Sequence, residues 1–208
     1  MRVLVIAARS ALQNKEDWLS AMTGHQVAVL DGMVTVREAL GRIASGEYEL
    51  VHFAGHGDMD TLVVSDGVIP GNLLEDALRA AGGVELVILG ACRSVTIGAM
   101  LYMAGVPRVL SWRDEVSDEV AGLWARTFYQ SLALSKDIWE ATLTAGEEVR
   151  RTGAETPIYL NGRMAVLEAE VVRLKERTRF GGLAPWLAGV LMVYGVAIAV
   201  LLVGMLGR

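Results

Sequence analysis

The sequence predicts a three-layer α/β domain with a mostly parallel sheet, followed by a helical linker and one transmembrane helix. Three observations lead to this prediction. Short apolar runs alternate with helix patterns from residue 1 to about residue 160, the alternation typical of an α/β chain. The runs are rich in β-branched residues and apolar throughout, as strands covered on both faces are. Finally, no charged side chain occurs between Leu183 and Leu206.

The first third of the chain predicts three strands and two helices. Arg2–Ala8 is an apolar run ending in polar residues, as a central strand does. A helix is expected over residues 12–22, and a strand over 26–30 is closed by an Asp-Gly turn. Apolar residues recur at helical spacing over 35–45, and Leu50–Ala54 reads as the third strand.

The remaining elements begin with a hairpin. Two short β runs flank Ser65-Asp66-Gly67, and Asn72 is a candidate N-cap for the helix that follows, to about residue 81. The later elements are strands over 85–90, 108–112 and 157–160, and helices over 94–104, 117–132 and 136–151.

Composition excludes several classes of protein. The chain has 208 residues and a net charge of −5, so broad nucleic-acid binding is not expected. Cys92 is the single cysteine, which excludes an intrachain disulfide and fits an intracellular protein. The first apolar run is too short for a secretion signal.

Two reactive side chains follow strands that should lie side by side. His56 comes just after one predicted strand and Cys92 just after another, with a predicted helix between the two strands. Such a crossover makes strands parallel, so both carboxyl ends meet at one sheet edge. A Cys and a His brought together there can act as nucleophile and base. A buried Cys or a loop His is ordinary when taken alone, but the joint placement favours a site.

No metal or cofactor is expected. The spacing of His52 and His56 is not helical, and no carboxylate pattern completes a ligand set. His52 is interpreted as a structural histidine, and His25 receives no role.

The motifs resemble those of the CHAT peptidases, which belong to the caspase-like (clan CD) cysteine proteases. The resemblance rests on the stretches VHFAGHG at 51–57 and LGACRS at 89–94. The hairpin at 62–67, the strand at 105–112 and the pair Phe128-Tyr129 agree with it. It covers about residues 1 to 160 and implies a caspase-hemoglobinase-like sandwich over residues 1–162.

The resemblance also implies a mechanism and a pocket. Cys92 would attack the scissile carbonyl as a dyad with His56, and the backbone N–H groups of Gly57 and Cys92 would bind the oxyanion. In caspase-like enzymes the fifth strand and the loop after it line the pocket for the residue before the cleaved bond.

That stretch supplies the substrate-binding candidates. It contains Trp112, Arg113 and Asp114, and Asp58 is a further candidate at the rim. Arg113 would favour an acidic side chain and Asp114 a basic one. A solvated loop is at least as good an interpretation of these charges.

The C-terminal part predicts a membrane anchor. Residues 163–180 are expected to form a basic juxtamembrane helix, either a short coiled coil or a solvated linker. Residues 183–206 are long enough to span a bilayer. The basic residues precede the span, which places the catalytic domain in the cytoplasm and the anchor in the cell inner membrane.

The resulting hypothesis is a membrane-anchored cysteine endopeptidase that cuts a protein or peptide substrate on a signal, in bacterial defence or programmed cell death. Its expected partners are the membrane, through the segment from Leu183 to Leu206, and a second copy or a sensor. The alternative is a non-catalytic scaffold that recruits partners. A toxic membrane segment ranks lowest, because its glycines are too widely spaced for close packing.

Overall fold

A computed structural model of the chain describes residues 1–8 and 15–161, which contain nine strands and six helices. The strands are β1 (Arg2–Ala8), β2 (Gln26–Gly32), β3 (Leu50–Ala54), β4 (Gly57–Asp58), β5 (Thr61–Val64), β6 (Gly67–Pro70), β7 (Leu86–Gly90), β8 (Arg108–Ser111) and β9 (Ile158–Asn161). The helices are α1 (Lys15–Ser20), α2 (Val36–Ala44), α3 (Gly71–Ala81), α4 (Val95–Met103), α5 (Asp118–Ser135) and α6 (Ile138–Arg151).

Six strands form the central sheet, in the order β2-β1-β3-β7-β8-β9. All neighbours are parallel except β9, which runs antiparallel to β8 at the edge. The predicted mostly parallel sheet is therefore confirmed. Strands β3 and β7 are adjacent and parallel, with Ala54 opposite Gly90, as the crossover between them predicted.

Helices cover both faces of this sheet, which makes the predicted three layers. Side chains alternate along β1, so Leu4 and Ile6 join one core while Val3 and Val5 join the other. The first core includes buried residues of α2, α3 and α4, and the second includes those of α1, α5 and α6. A fully buried Leu such as Leu4 contributes about 1.5–3 kcal/mol to this packing.

The predicted hairpin is present, and hydrogen bonds join its turn to the connection between β2 and α2. Strands β4, β5 and β6 form a small antiparallel sheet. Asp66, in its turn, accepts a hydrogen bond from the backbone N–H of Val36 at 2.8 Å, and the Ser65 N–H donates to the Val34 carbonyl at 2.8 Å. The two-residue strand β4 was not predicted. It follows His56 directly, so the hairpin holds the chain that leaves the candidate histidine.

Two predicted helix starts were wrong. Helix α3 begins at Gly71 with Pro70 at its N-cap, because the chain turns directly out of β6, whereas Asn72 was predicted there. Helix α5 continues to Ser135, and Lys136 then ends it in a left-handed conformation (φ 56°). Lys136 is therefore not the start of α6. Helix α6 begins at Ile138, and Asp137 is its N-cap, since its carboxylate accepts hydrogen bonds from the N–H groups of Trp139 and Glu140 at 2.7 and 3.1 Å.

The described residues all belong to one compact unit, Met1–Asn161. None of the helices in the described ranges is long and apolar enough to cross a membrane. The predicted juxtamembrane helix over 163–180 and transmembrane helix over 183–206 lie outside those ranges, as does the predicted start of α1.

Candidate active site

The carboxyl ends of β3 and β7 bring the two sequence motifs together. Ala54 and Gly90 are register partners, and the Gly55 N–H donates to the Gly90 carbonyl at 3.1 Å. His56 and Cys92 each lie two residues beyond this paired position. The parallel sheet therefore delivers both predicted catalytic residues to one edge.

Gly57 lies against the residue that precedes the cysteine. A Cβ at Gly57 would stand 2.9 Å from the Cβ of Ala91 and 3.1 Å from the Thr61 carbonyl oxygen. These distances leave no room for a side chain without a shift of the surrounding chain. Close approach of the two motifs thus requires glycine here. Of the two residues predicted to bind an oxyanion, Gly57 makes this contact and Cys92 follows Ala91 in the chain.

The His56 side chain is exposed at the same edge. Its backbone carbonyl accepts a hydrogen bond from the Val63 N–H at 2.9 Å, which ties it to β5. Within the described ranges the His56 ring makes no hydrogen bond, so it is not bonded to Cys92 in this structure. The backbone at His56 is held, while its ring is open to solvent.

The thiol of Cys92 is half-buried and contacts the backbone of Val116. The Val116 N–H donates to Sγ at 3.5 Å, and the S–H donates to the Val116 carbonyl at 3.7 Å. Val116 lies in the connection between β8 and α5. Sequence reasoning missed this contact, since a backbone contact leaves no side-chain signal.

The turn that carries Cys92 is held by the two residues after it. Arg93 adopts a left-handed conformation (φ 52°), which costs about 1–2 kcal/mol for a non-glycine residue. The buried hydroxyl of Ser94 donates to the Leu89 carbonyl at 3.2 Å and accepts from the Trp112 N–H at 3.1 Å. Ser94 was predicted only as the start of a helix. It joins the end of β7 to the chain after β8, which offsets the strained turn.

Arg93 also joins two loops at the mouth of the site. Its guanidinium lies 3.7 Å from Asp58 and pairs with Glu115, and its backbone N–H donates to the Asp114 carbonyl at 3.1 Å. The hydrogen bond to Glu115, with the charges of Glu115 and Asp58, raises the pKa of Arg93. All three side chains are exposed, so the pairs position loops more than they stabilise the fold.

The predicted substrate-binding residues have different surroundings. Arg113 and Asp114 are exposed, Asp58 is held by Arg93, and Trp112 is buried. Of the four, only Trp112 lines a small cavity on the α5 side of the sheet. The cavity has a volume of about 10 Å³, enough for one water molecule. The cavity is lined by Trp18, His52, Ala54, Ile88, Gly90, Trp112, Ala121, Trp124 and Ala125.

His52 is buried next to Tyr129, as expected of a structural histidine. Its Nδ1 lies 2.9 Å from the Tyr129 hydroxyl, and its ring packs on Trp18 with 5.0 Å between centroids. Burial lowers the pKa of His52 to about 3, so the imidazole is neutral. Burial also raises the pKa of Tyr129, so the phenol keeps its proton.

No group of three or more His, Cys, Asp or Glu side chains in the described part of the chain is placed to hold a metal ion.

Comparison with known proteins identifies a family and a fold. A family model described as the CHAT domain matches residues 6–166. No curated protein matches the sequence. A solved structure of a secreted C11 cysteine protease from Bacteroides thetaiotaomicron, in complex with an irreversible peptide inhibitor, is similar, with a TM-score of 0.52 and 13% identity.

That similarity covers 73% of this chain and 58% of the C11 protease chain. The structure of pro-sf-caspase-1 is similar with a TM-score of 0.50 and 13% identity, covering 77% of this chain and 90% of that one. At such low identity these likenesses show a shared caspase-like fold.

Proposed function

The chain belongs to the CHAT domain family, and from this we propose that it is a cysteine endopeptidase with Cys92 as nucleophile and His56 as base and acid. The observation that carries the proposal is the meeting of the two motifs at the carboxyl ends of β3 and β7, where Gly57 packs against Ala91. Neighbouring strand ends can bring a nucleophile within reach of its base, which is what this chemistry requires.

The proposed reaction has two steps. The Cys92 thiol loses its proton to His56, and the thiolate attacks the scissile carbonyl carbon. Backbone N–H groups of Gly57 and Cys92 stabilise the oxyanion. His56 then protonates the leaving amine, and a thioester remains on Cys92. Water, deprotonated by His56, attacks the thioester, which frees the carboxylic acid and restores the thiol.

The resting thiol must change partners before this reaction. Its contacts are with the backbone of Val116, and the His56 ring is exposed. We therefore propose a latent enzyme, in which the connection between β8 and α5 withdraws from Sγ when substrate or an activator binds.

Location and biology are further parts of the proposal. The uncharged segment 183–206, with basic residues before it, supports a single-pass anchor in the cell inner membrane with the catalytic domain in the cytoplasm. A role as a signal-activated effector in defence or cell death rests on analogy with the family. A second copy or a sensor protein would supply the signal.

A non-catalytic scaffold is the second candidate. The contact between Val116 and Cys92 favours it, because a thiol that stays covered by this backbone cannot attack a substrate. In that case the caspase-like domain would recruit partners at the membrane without cleaving them.

The decisive experiment compares cleavage by matched variants. The full chain in a nonionic detergent is incubated with a complex peptide library, and mass spectrometry identifies the new termini. We expect wild type to cleave, Cys92→Ala and His56→Ala to lose cleavage, and His25→Ala, a histidine outside the site, to keep it. Cleavage that survives Cys92→Ala would overturn the assignment. A cellular phenotype that survives Cys92→Ala would favour the scaffold.

A further inference from the structure

The described chain leaves the fold at the end opposite the candidate active site. His56 and Cys92 follow the carboxyl ends of β3 and β7. Strand β9 runs antiparallel to β8 and ends at Asn161, opposite Arg108, the first residue of β8. Asn161 therefore lies at the amino ends of the parallel strands, and residues 162–208 continue the chain from that edge.

Contacts tie two exposed apolar side chains to this exit. Near the end of α4, the hydroxyl of Tyr102 donates to the Asn161 carbonyl at 2.9 Å, and the next residue, Met103, is 86% exposed. Helix α6 packs in the core on the other face of the sheet. There the Trp139 ring packs on Tyr159, two residues before the exit, with 5.6 Å between centroids, and is 37% exposed. Apolar groups therefore flank the exit on both faces.

The last turn of α5 adds a third apolar side chain at the same end. Helix α5 starts after the carboxyl end of β8 and runs back toward the amino edge, where α6 begins. Leu134, in its last turn, is 87% exposed. A single exposed Leu or Met is ordinary, but these side chains share the edge from which the chain leaves. We call Met103, Leu134 and Trp139 the exit surface.

The charges around the exit surface are of both signs. Arg108 lies 3.5 Å from Glu85. Lys136 ends α5, and Asp137 and Glu140 follow it at the start of α6. There is thus no patch of one sign that would select an oppositely charged partner. The surface offers apolar side chains and a partly exposed indole, which suit the boundary between lipid headgroups and acyl chains.

The length of the chain beyond the exit points to the same partner. From Asn161, 21 residues lead to the uncharged segment 183–206. As a helix, such a stretch spans about 30 Å. An anchor at that distance keeps the exit surface at a high effective concentration beside the bilayer, so weak apolar contacts suffice for docking. The candidate active-site edge is farther from the exit by the length of the strands.

We propose, on the basis of the membrane anchor in the proposed function, that the exit surface rests in the headgroup layer of the bilayer and that the candidate active-site edge faces away from it. Met103 and Leu134 then remove apolar area from water, and the Trp139 indole lies at the level of the headgroups. The candidate active site receives segments of soluble proteins from the cytoplasm, not segments inside the bilayer.

Spin labels at single cysteines test this docking. Cys92→Ala removes the native thiol, and Met103→Cys or Leu134→Cys then carries one nitroxide. The full chain is reconstituted in phosphatidylcholine vesicles with the domain outside. We expect oxygen, which concentrates in lipid, to relax both labels more than a nickel chelate dissolved in water. Met33→Cys is the matched control, because Met33 is 82% exposed but follows the carboxyl end of β2. The nickel chelate should dominate there.

Two further changes test the chemistry of the contact. Leu134→Asp places a charge in the exit surface and should move the label at position 103 toward water. Met59→Asp, after β4 at the candidate active-site edge, should leave that label in lipid. Both side chains are exposed, so neither change should unfold the domain. Adding phosphatidylserine should not alter the labels, because the charges near the exit surface are of both signs.

Anchoring is measured separately, by flotation with the vesicles and by access of an impermeant thiol reagent to Gly207→Cys. Flotation with both labels in water would keep the anchor and overturn the docking. Labels in lipid with free access at position 207 would keep the docking and reject the span. Shielding of the labels from both relaxing agents would mean that protein covers the exit surface, which overturns the bilayer as partner. Absence of flotation would overturn anchor and docking together. Proteolysis plays no part, since every sample carries Cys92→Ala.

Discussion

The backbone of Val116 contacts the thiol of Cys92 through both of its polar groups, with its nitrogen 3.5 Å and its carbonyl oxygen 3.7 Å from Sγ. A thiol held in this way has both a donor and an acceptor at hydrogen-bond distance for sulfur. Arg93 reinforces the arrangement, because it pairs with Glu115 and its backbone N–H bonds to the Asp114 carbonyl. The connection after β8 is thus fastened to the turn that carries the nucleophile.

Removing the charge of Glu115 should make this thiol more reactive. In Glu115→Gln the ion pair with Arg93 is weakened, and Val116 leaves Sγ more often. We expect alkylation of Cys92 by iodoacetamide to become about two- to fivefold faster, the modest effect of an exposed pair. Because Cys92 is the single cysteine, total label reports this site alone. Glu119→Gln removes an exposed charge of α5 nearby and should leave the rate unchanged. An equal rate in Glu115→Gln and wild type would contradict the role of the ion pair.

Adding one methyl group at Gly57 should impair the site more than the fold. The added methyl carbon would overlap Ala91, whose Cβ would be 2.9 Å away, so β4 or the Cys92 turn must move. We expect Gly57→Ala to lower kcat/KM by about ten- to a hundredfold and to destabilise the fold by about 1–3 kcal/mol. Activity assays and urea denaturation measure the two effects. Gly67→Ala, where a Cβ meets nothing within 4 Å, is the control and should change neither quantity by much.

The central sheet could be predicted because continuous apolar runs in the sequence mark its strands. Arg2–Ala8 and Leu50–Ala54 are continuous apolar runs, and both are strands with the predicted bounds. The parallel pairing of β3 and β7 followed from the helix between them, and it places the motifs of His56 and Cys92 at one sheet edge. Whether those two residues catalyse a reaction stays a prediction.

The contacts that control the thiol could not be predicted. Val116 acts through its backbone, which is the same in every residue but proline, so the path of the loop decides the contact. Ser94 looked like a helix start, yet its hydroxyl bonds to Trp112 on a neighbouring strand end. The strand β4 has two residues, one of them glycine, and leaves no apolar pattern to read.

A close contact between α4 and β8 provides a test of packing. A Cβ at Gly98 would stand 2.5 Å from the Ser111 hydroxyl oxygen and 2.8 Å from the Ser111 Cβ. That hydroxyl is buried and unpartnered within the described ranges, so it contributes no hydrogen bond that would offset a shift. Gly98→Ala should therefore destabilise the protein by about 1–3 kcal/mol, although Ala usually favours a helix.

A double-mutant cycle in urea isolates this contact. Ser111→Gly restores room for the added methyl group, so we expect the two changes together to cost at least about 1 kcal/mol less than their sum. Gly122→Ala in α5 has no neighbour within 4 Å of the new Cβ and should be neutral or stabilising by up to about 1 kcal/mol. Strict additivity of the two changes would show that the overlap is relieved elsewhere.

The neutral state of His52 should make stability depend on pH. Burial lowers the pKa of His52 to about 3 in the folded protein, from an ordinary value of 6.5. Between these two values the unfolded chain binds a proton that the folded protein does not, so the free energy of unfolding falls as the pH falls. From pH 6.5 to pH 5.0 this group alone should remove up to about 2 kcal/mol.

The variant that tests this dependence replaces both hydrogen-bonding partners at once. His52→Leu with Tyr129→Phe leaves no buried polar group unpaired, whereas either change alone would. Urea denaturation of the full chain at pH 7.5 and pH 5.0 should show a smaller loss of unfolding free energy in the double variant than in wild type.

His25, whose pKa burial also lowers, is present in both proteins, so its contribution to the pH dependence cancels. If the double variant loses as much stability as wild type at low pH, the buried imidazole is not the group that senses the change.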